Sequence, residues 1–354
     1  MAGMLSAMSS SEPPSDFLPG IELSRYCYRE FLAPVFGGHP HAAALLGPGS
    51  EVLGFDTNRS TDHDWGPRLQ VFVTDESGEL AARAERALPR EVRGHPRLPG
   101  ALEVTGLATW FGARLGFDPA ELTTFDWLAT PAQLLAEVTG GAVFHDGTGE
   151  LTAARTRLSW YPDQVWRYIL ACQWQKISEE EAFPGRCAET GDELGASVVA
   201  ARLARELMRL CFLLERRYPP YSKWLGNAFA RLELARELAP VLHSATGARD
   251  AGERERALAS AYGRLATAQN ALELTEPVDT AIRPYHARPY RVLHAERFAD
   301  ALLAGITDPQ LRGLSRAGAI DQYADDPKVL VPQGSGHTAR AIAAAVHPGL
   351  SGSR

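Results

Sequence analysis

Cysteine is scarce. The chain has four in 354 residues, Cys27, Cys172, Cys187 and Cys211, and no two form a CxxC pair. That is too few for a disulfide framework in a chain this long, so the composition points to a reducing compartment and a cytoplasmic protein. Long apolar runs are also missing. Nothing approaches the roughly 18 consecutive apolar residues of a membrane helix, so no membrane association is expected. Basic charge is not in excess: the net charge is −7. This counts against a protein whose main work is gripping a nucleic-acid backbone. It leaves room for a small anionic ligand, such as a nucleotide, held through metal. The first twenty residues lack the basic and apolar regions of a secretory leader and read as a flexible tail. There is no internal repeat. Ser159, Cys172 and Cys187 have no partner motif, so a nucleophile triad is not expected.

Hydrophobic residues make up 45% and charged residues 22%, ordinary values for a chain with a sizeable core. The length suggests about two domains of roughly 150 residues each. Ile21–Ala33 carries apolar residues at helical spacing, ended by Pro34 and the turn Gly37–His41. His39 and His41 lie two apart but have no third ligand nearby, so they read as a polar surface turn. Ala42–Leu46 and Glu51–Phe55 are short apolar pieces, the second a short strand. Arg68–Val73 and Ala101–Leu107 are rich in β-formers and read as strands. Glu79–Leu88 between them is helical by propensity.

From about Thr124 the pattern becomes helical. Helices are expected at Pro131–Val138, Ser159–Ile177, Thr190–Arg217, Ala228–Glu237, Arg254–Leu272 and Ala295–Ile306. Leu203, Leu207, Leu210 and Leu214 mark one face of the longest. No strand is expected in this half, and His145-Asp146 reads as a turn. The fold class is therefore α+β: a small mixed domain at 20–125, a helical domain at 126–325, and tails at 1–19 and 326–354. Thr338–Val346 is a candidate short helix in the second tail.

The chemistry concentrates between Gly47 and Asp64. Gly47, Gly49 and Ser50 form a tight turn whose backbone N–H groups, with the Ser50 hydroxyl, suit a phosphate. After eleven intervening residues come Asp62 and Asp64. In extended chain, residues i and i+2 face the same way, and two carboxylates so placed repel unless a cation lies between them. Hard oxygen ligands suit Mg²⁺, and paired carboxylates can hold two metals for an in-line phosphoryl displacement.

A Gly-Ser turn, an Asp-x-Asp pair and a following strand together resemble the nucleotidyltransferase superfamily with the polymerase-beta-like catalytic core. Its small-molecule members include the aminoglycoside and lincosamide nucleotidyltransferases. The resemblance covers residues 20–125 and, more loosely, the helical part. It implies that Asp62 and Asp64 bind two Mg²⁺ and the phosphates of ATP or another NTP. It implies a third carboxylate on a later strand, for which Glu103 is the candidate, serving as metal ligand or base. Gly49, Ser50 and Thr61 would lie at the phosphates, and Lys223 in the helical domain would supply a further positive charge. The implied activity is transfer of a nucleoside monophosphate, AMP in the first instance, to a hydroxyl of a small molecule. The alternatives are a protein or RNA acceptor, or a nucleotide-binding module without turnover. Trp65-Gly66-Pro67 departs from the family pattern by separating the aspartates from the strand, because a proline belongs at a strand start or edge.

Several residues keep a plainer reading. Arg202, Arg205, Arg209 and Arg216 make one basic helix face, read as solvated or salt-bridged. Glu189 and Asp192 suit a helix N-terminus. Tyr221 and Trp224 read as packing residues. Tyr285-His286 and Arg288–Arg291 form a basic aromatic cluster of open role.

Overall fold

Leu23, Cys27, Leu32 and Phe36 are fully buried, yet their spacing of four, five and four does not fit one face of a regular α-helix. The backbone resolves the mismatch. An α-helix at Gly20–Cys27 passes into a π-helical turn at Tyr28–Leu32 and back into α-helix at Ala33–Phe36. The wider π turn absorbs the extra residue and keeps all four side chains on the stripe that faces the core. The computed structural model describes residues 17–62 (Asp62 by its backbone alone), 65–74, 78–331 and 336–350.

The chain divides into two compact units. One comprises the residues up to Trp110 together with Glu137–Arg155, and the other Phe111–Ala136 together with the residues from Thr156 onward. The strands of the first unit are β1 (His41–Leu45), β2 (Leu69–Val73), the two-residue pair β3 (Glu91–Val92) and β4 (His95–Pro96), β5 (Leu102–Thr105) and β6 (Ala142–Asp146). Four of them form one sheet in the order β5-β2-β1-β6. β1 is antiparallel to both β2 and β6, whereas β2 and β5 run parallel. A parallel pair needs a crossover, supplied by the helix Gly78–Ala87 and the β3–β4 hairpin.

One face of the sheet carries Ala43, Leu69, Val71 and Val73, packed on the N-terminal helix and on Leu80 and Ala84. By strand alternation the other face carries Ala42, Ala44, Gln70, Phe72 and Glu103. Trp110 lies edge-on to Phe72 there, 5.6 Å between ring centroids.

The second unit is helical. Its longest helix, Glu193–Leu214, buries Leu203, Leu207, Leu210 and Leu214 as the periodicity predicts. Asp163–Glu180 and Ala251–Asn270 pack against it. The indole N–H of Trp166 donates to the Leu213 carbonyl (2.9 Å) and that of Trp174 to Gln269 (3.1 Å). The α+β class follows: a small mixed sheet near the start and helices thereafter.

Several sequence expectations need correction. Glu51–Phe55 is a run of turns, in which Phe55 N–H returns to the Ser50 carbonyl at 2.8 Å. Strands do occur beyond residue 124. β6 pairs with β1, and β7 (Arg283–Tyr285) pairs with β8 (Arg288–Val292) in a hairpin of the second unit. The helix expected at Ala228–Glu237 is two, Ser222–Phe229 and Ala235–Gly247. The candidate short helix at Thr338–Val346 is present as His337–Val346, and there Arg340 bonds the buried Asp126 at 2.7 Å. Hydrogen bonds from Thr123 and Arg340 outweigh the cost of burial and hold the Asp126 carboxyl below its usual range.

Candidate active site

The turn Gly47–Ser50 begins two residues after β1 ends. Its entry is fixed by two backbone donors: Leu46 N–H donates to the Gln70 side-chain oxygen (2.9 Å), and Gly47 N–H to the Glu137 carbonyl (3.0 Å). Gly49 is required. Its φ is +143°, and a Cβ there would lie 2.4 Å from Glu51 Oε1. The Glu51 carboxylate thus folds back over the turn that precedes it.

The connection from this turn to β2 carries the aspartates. It is clamped at both ends. Near the start and finish, Arg68 bonds Glu51 at 2.8 Å and also the Pro48 carbonyl. In the middle, Asp56 Oδ2 accepts from Gly20 N–H (2.7 Å) and from the Trp65 indole N–H (3.4 Å). Trp65 is 6% exposed and belongs to the core, with His95 edge-on at 4.8 Å. Trp65-Gly66-Pro67 is therefore a buried anchor, and β2 starts two residues after the proline. Asn58–Asp62 forms a 3₁₀ turn, in which the Thr61 hydroxyl donates to the Asn58 carbonyl (2.7 Å). The side chain of Asp62 and the whole of Asp64 lie outside the described residues.

Glu103 stands on β5 in register with Gln70 of β2. It is exposed and does not enter the core. Its Oε2 accepts from the Trp110 indole N–H at 3.1 Å. β1 ends where β2 and β5 begin. The turn, the start of β2 and Glu103 therefore share one end of three neighbouring strands, whose spacing is about 4.8 Å per step. Among the described residues no group of three His, Cys, Asp or Glu side chains converges to hold a metal.

Lys223 belongs to the second unit. It is exposed in the first turn of the helix Ser222–Phe229, with its ammonium 5.0 Å from the Trp224 ring centroid. Tyr221 and Trp224 are half-buried, and Tyr221 N–H donates to Gln133 (3.0 Å). The basic helix face is occupied. Arg202 pairs with Glu180 (2.9 Å) and Arg205 with Asp325 (2.6 Å). Arg209 bonds the Asp321 carbonyl, and Arg216 lies over the Trp166 ring at 4.2 Å. Asp192 caps the following helix through Gly195 N–H (2.8 Å), and Glu189 pairs with Arg288. Cys27 and Cys172 are buried, which pushes their thiols up to about 12 and away from nucleophile chemistry.

His41 is a further correction. It is a buried residue opening β1, not part of a surface turn. Its Nδ1 faces the His39 carbonyl at 2.9 Å, which makes Nδ1 the donor, so Nε2 accepts from the Tyr28 hydroxyl at 2.9 Å. The His145 ring stacks on it at 4.4 Å. Burial, chiefly, lowers the His41 pKa. Asp146 ends β6 and accepts from Gly149 N–H, Thr152 N–H and the Thr152 hydroxyl at 2.7–2.9 Å, a turn-and-cap role.

Sequence reasoning missed Glu51, Asp56, Trp65 and Arg68. Glu51 directly follows Ser50, and Arg68 directly precedes β2. Charged residues of opposite sign flanking one connection were the available signal.

Comparison with known proteins adds the following. The model of a family described as a domain of unknown function (DUF4037) matches residues 127–225, less than half of the chain. No curated protein matches. A solved structure described as a nucleotidyltransferase-like protein from Exiguobacterium sibiricum is similar to this chain at a TM-score of 0.34 and 14% identity. The alignment covers 75% of this chain and 81% of that one. No helix among the described residues is long and apolar enough to cross a membrane.

Proposed function

We propose that this protein is a nucleotidyltransferase that moves a nucleoside monophosphate, AMP in the first instance, from the NTP to a hydroxyl of a small-molecule acceptor. One observation carries the reading: the Gly47–Ser50 turn, the start of β2 and Glu103 lie at one end of adjacent strands. In that arrangement the N–H groups of Gly49 and Ser50 and the Ser50 hydroxyl bind phosphate oxygens.

The donor set suits Mg²⁺. Asp62, Asp64 and Glu103 offer hard carboxylate oxygens, and Glu103 Oε1 has no partner among the described residues. When bound to Asp62 and Asp64, Mg²⁺ would neutralise charge on the triphosphate. The chain's own work is positioning and proton transfer. Trp110 orients Glu103 through Oε2. Glu103 takes the proton as the acceptor oxygen bonds to the α-phosphorus and the bond to the pyrophosphate oxygen breaks. The Glu51–Arg68 and Asp56–Trp65 contacts hold both ends of the aspartate-bearing connection.

The test is Asp64→Asn. Pyrophosphate release from Mg²⁺–ATP falls by about a hundredfold or more, with the circular-dichroism spectrum and thermal midpoint unchanged. Wild-type release by that variant would contradict the proposal.

A further inference from the structure

Arg68 has no role in the reading above beyond holding a loop, yet its guanidinium is only partly used. Its side chain is 25% exposed. Nη2 donates to the Pro48 carbonyl, inside the Gly47–Ser50 turn, and to Glu51 Oε1 at 2.8 Å. Nε and Nη1 make no hydrogen bond among the described residues. An arginine fork can hold a carboxylate with one nitrogen and offer the others to a phosphate, which a lysine ammonium does with far less geometric control.

Glu51 is built to aim that fork. Its side chain is 7% exposed. The stem packs on Gly20, where a Cβ would lie 2.8 Å from Glu51 Cβ, and the carboxylate lies against Gly49. Packed on both sides, Glu51 is poorly placed to swing away, and leaving it buried without Arg68 would be costly. Arg68 is thereby fixed beside the phosphate-binding turn with donors to spare.

We propose that Arg68 grips the triphosphate of the nucleotide at the Gly47–Ser50 turn and that Glu51 is its positioning residue. This rests on the nucleotide reading above. It adds a cation from the same unit as the turn.

The test uses the full chain and two probes, inorganic tripolyphosphate and Mg²⁺–ATP, titrated by calorimetry. Arg68→Ala weakens both by about tenfold or more, and Arg68→Lys weakens both by several-fold because the fork is lost. Glu51→Gln keeps an oxygen for Nη2 and removes a negative charge, so it binds both probes at least as tightly as wild type. Glu51→Ala binds as weakly as Arg68→Ala. A residue that merely braced the loop would not separate Gln from Ala in this way. On unmodified protein, tripolyphosphate protects Arg68 from phenylglyoxal, read by peptide mass, so the test does not depend on variants that fold. Wild-type affinity in Arg68→Ala, or absence of protection, overturns the Arg68 assignment alone. Glu51→Gln falling to the level of Glu51→Ala overturns the positioning role. If wild type binds neither probe, the nucleotide reading falls with it.

Discussion

A glutamate on an edge strand, with one oxygen bonded to an indole and the other without a partner, is oriented without being neutralised. Glu103 has that character. Its exposure follows from strand alternation, since Leu102 and Val104 pack on the core from the same strand. Two outcomes follow from the pair. Glu103→Gln keeps the bond to Trp110 but cannot take a proton, so pyrophosphate release falls by about a hundredfold. Trp110→Phe keeps the ring against Phe72 but loses the donor, so the rate falls by less than in Glu103→Gln, with Mg²⁺–ATP binding retained. Steady-state assays of both variants check this; equal rates in wild type and Glu103→Gln would remove Glu103 from the chemistry. At this scale Asp-x-Asp and Gly-Ser stand out in the sequence because they are local patterns. Ion pairs such as Glu51–Arg68 were not. Their partners lie on either side of a long connection, and no periodicity links them.

At the scale of elements, regular strands and long helices read well from pattern. Leu69–Val73 and Leu102–Thr105 alternate or are rich in β-formers, and Glu193–Leu214 shows an unbroken apolar stripe. β6 was missed because Ala142–Asp146 is short and lies among helices; pairing with β1, distant in sequence, makes it a strand. Glu51–Phe55 has strand-like composition, but Gly54, at φ +70°, turns the chain. The π turn at Tyr28–Leu32 was legible only as a spacing defect.

The joint between Asp163–Glu180 and the hairpin makes a pH prediction. Glu181 is 5% exposed and accepts from Leu293 N–H (2.8 Å) and Ala295 N–H (3.1 Å) just beyond β8. Burial raises its pKa from 4.5 to about 7, against those two bonds. The folded state therefore holds a proton that the unfolded chain releases. The stabilisation is complete below about pH 4.5 and is lost as pH rises through about 7, at a cost on the order of 3 kcal/mol. Urea midpoints of wild type and Glu181→Gln, measured from pH 5 to pH 8, report the difference directly: the variant loses that part of the slope. Identical slopes would show that Glu181 does not titrate in this range.

For the molecule as a whole, the charge balance is instructive. A net charge of −7 coexists with arginines that pair within the helical unit, on Glu180, Asp325, the Asp321 carbonyl and the Trp166 ring. The basic face seen in the sequence is thus salt-bridged or stacked within the helical unit. The α+β class was legible because strand-like and helix-like patterns segregate along the chain. The return of Glu137–Arg155 to the first unit was not, since it depends on one strand joining a distant edge. The central claim concerns which phosphorus of the nucleotide is attacked. The direct measurement is a pair of incubations with Mg²⁺ and a small-metabolite extract as acceptor source, one with ATP labelled in the α-phosphate and one with ATP labelled in the γ-phosphate. Nucleotidyl transfer predicts that α-label moves to a small-molecule product while γ-label appears in pyrophosphate, and that Asp64→Asn does neither. γ-Label in the product, or α-label transfer unchanged in Asp64→Asn, would contradict it.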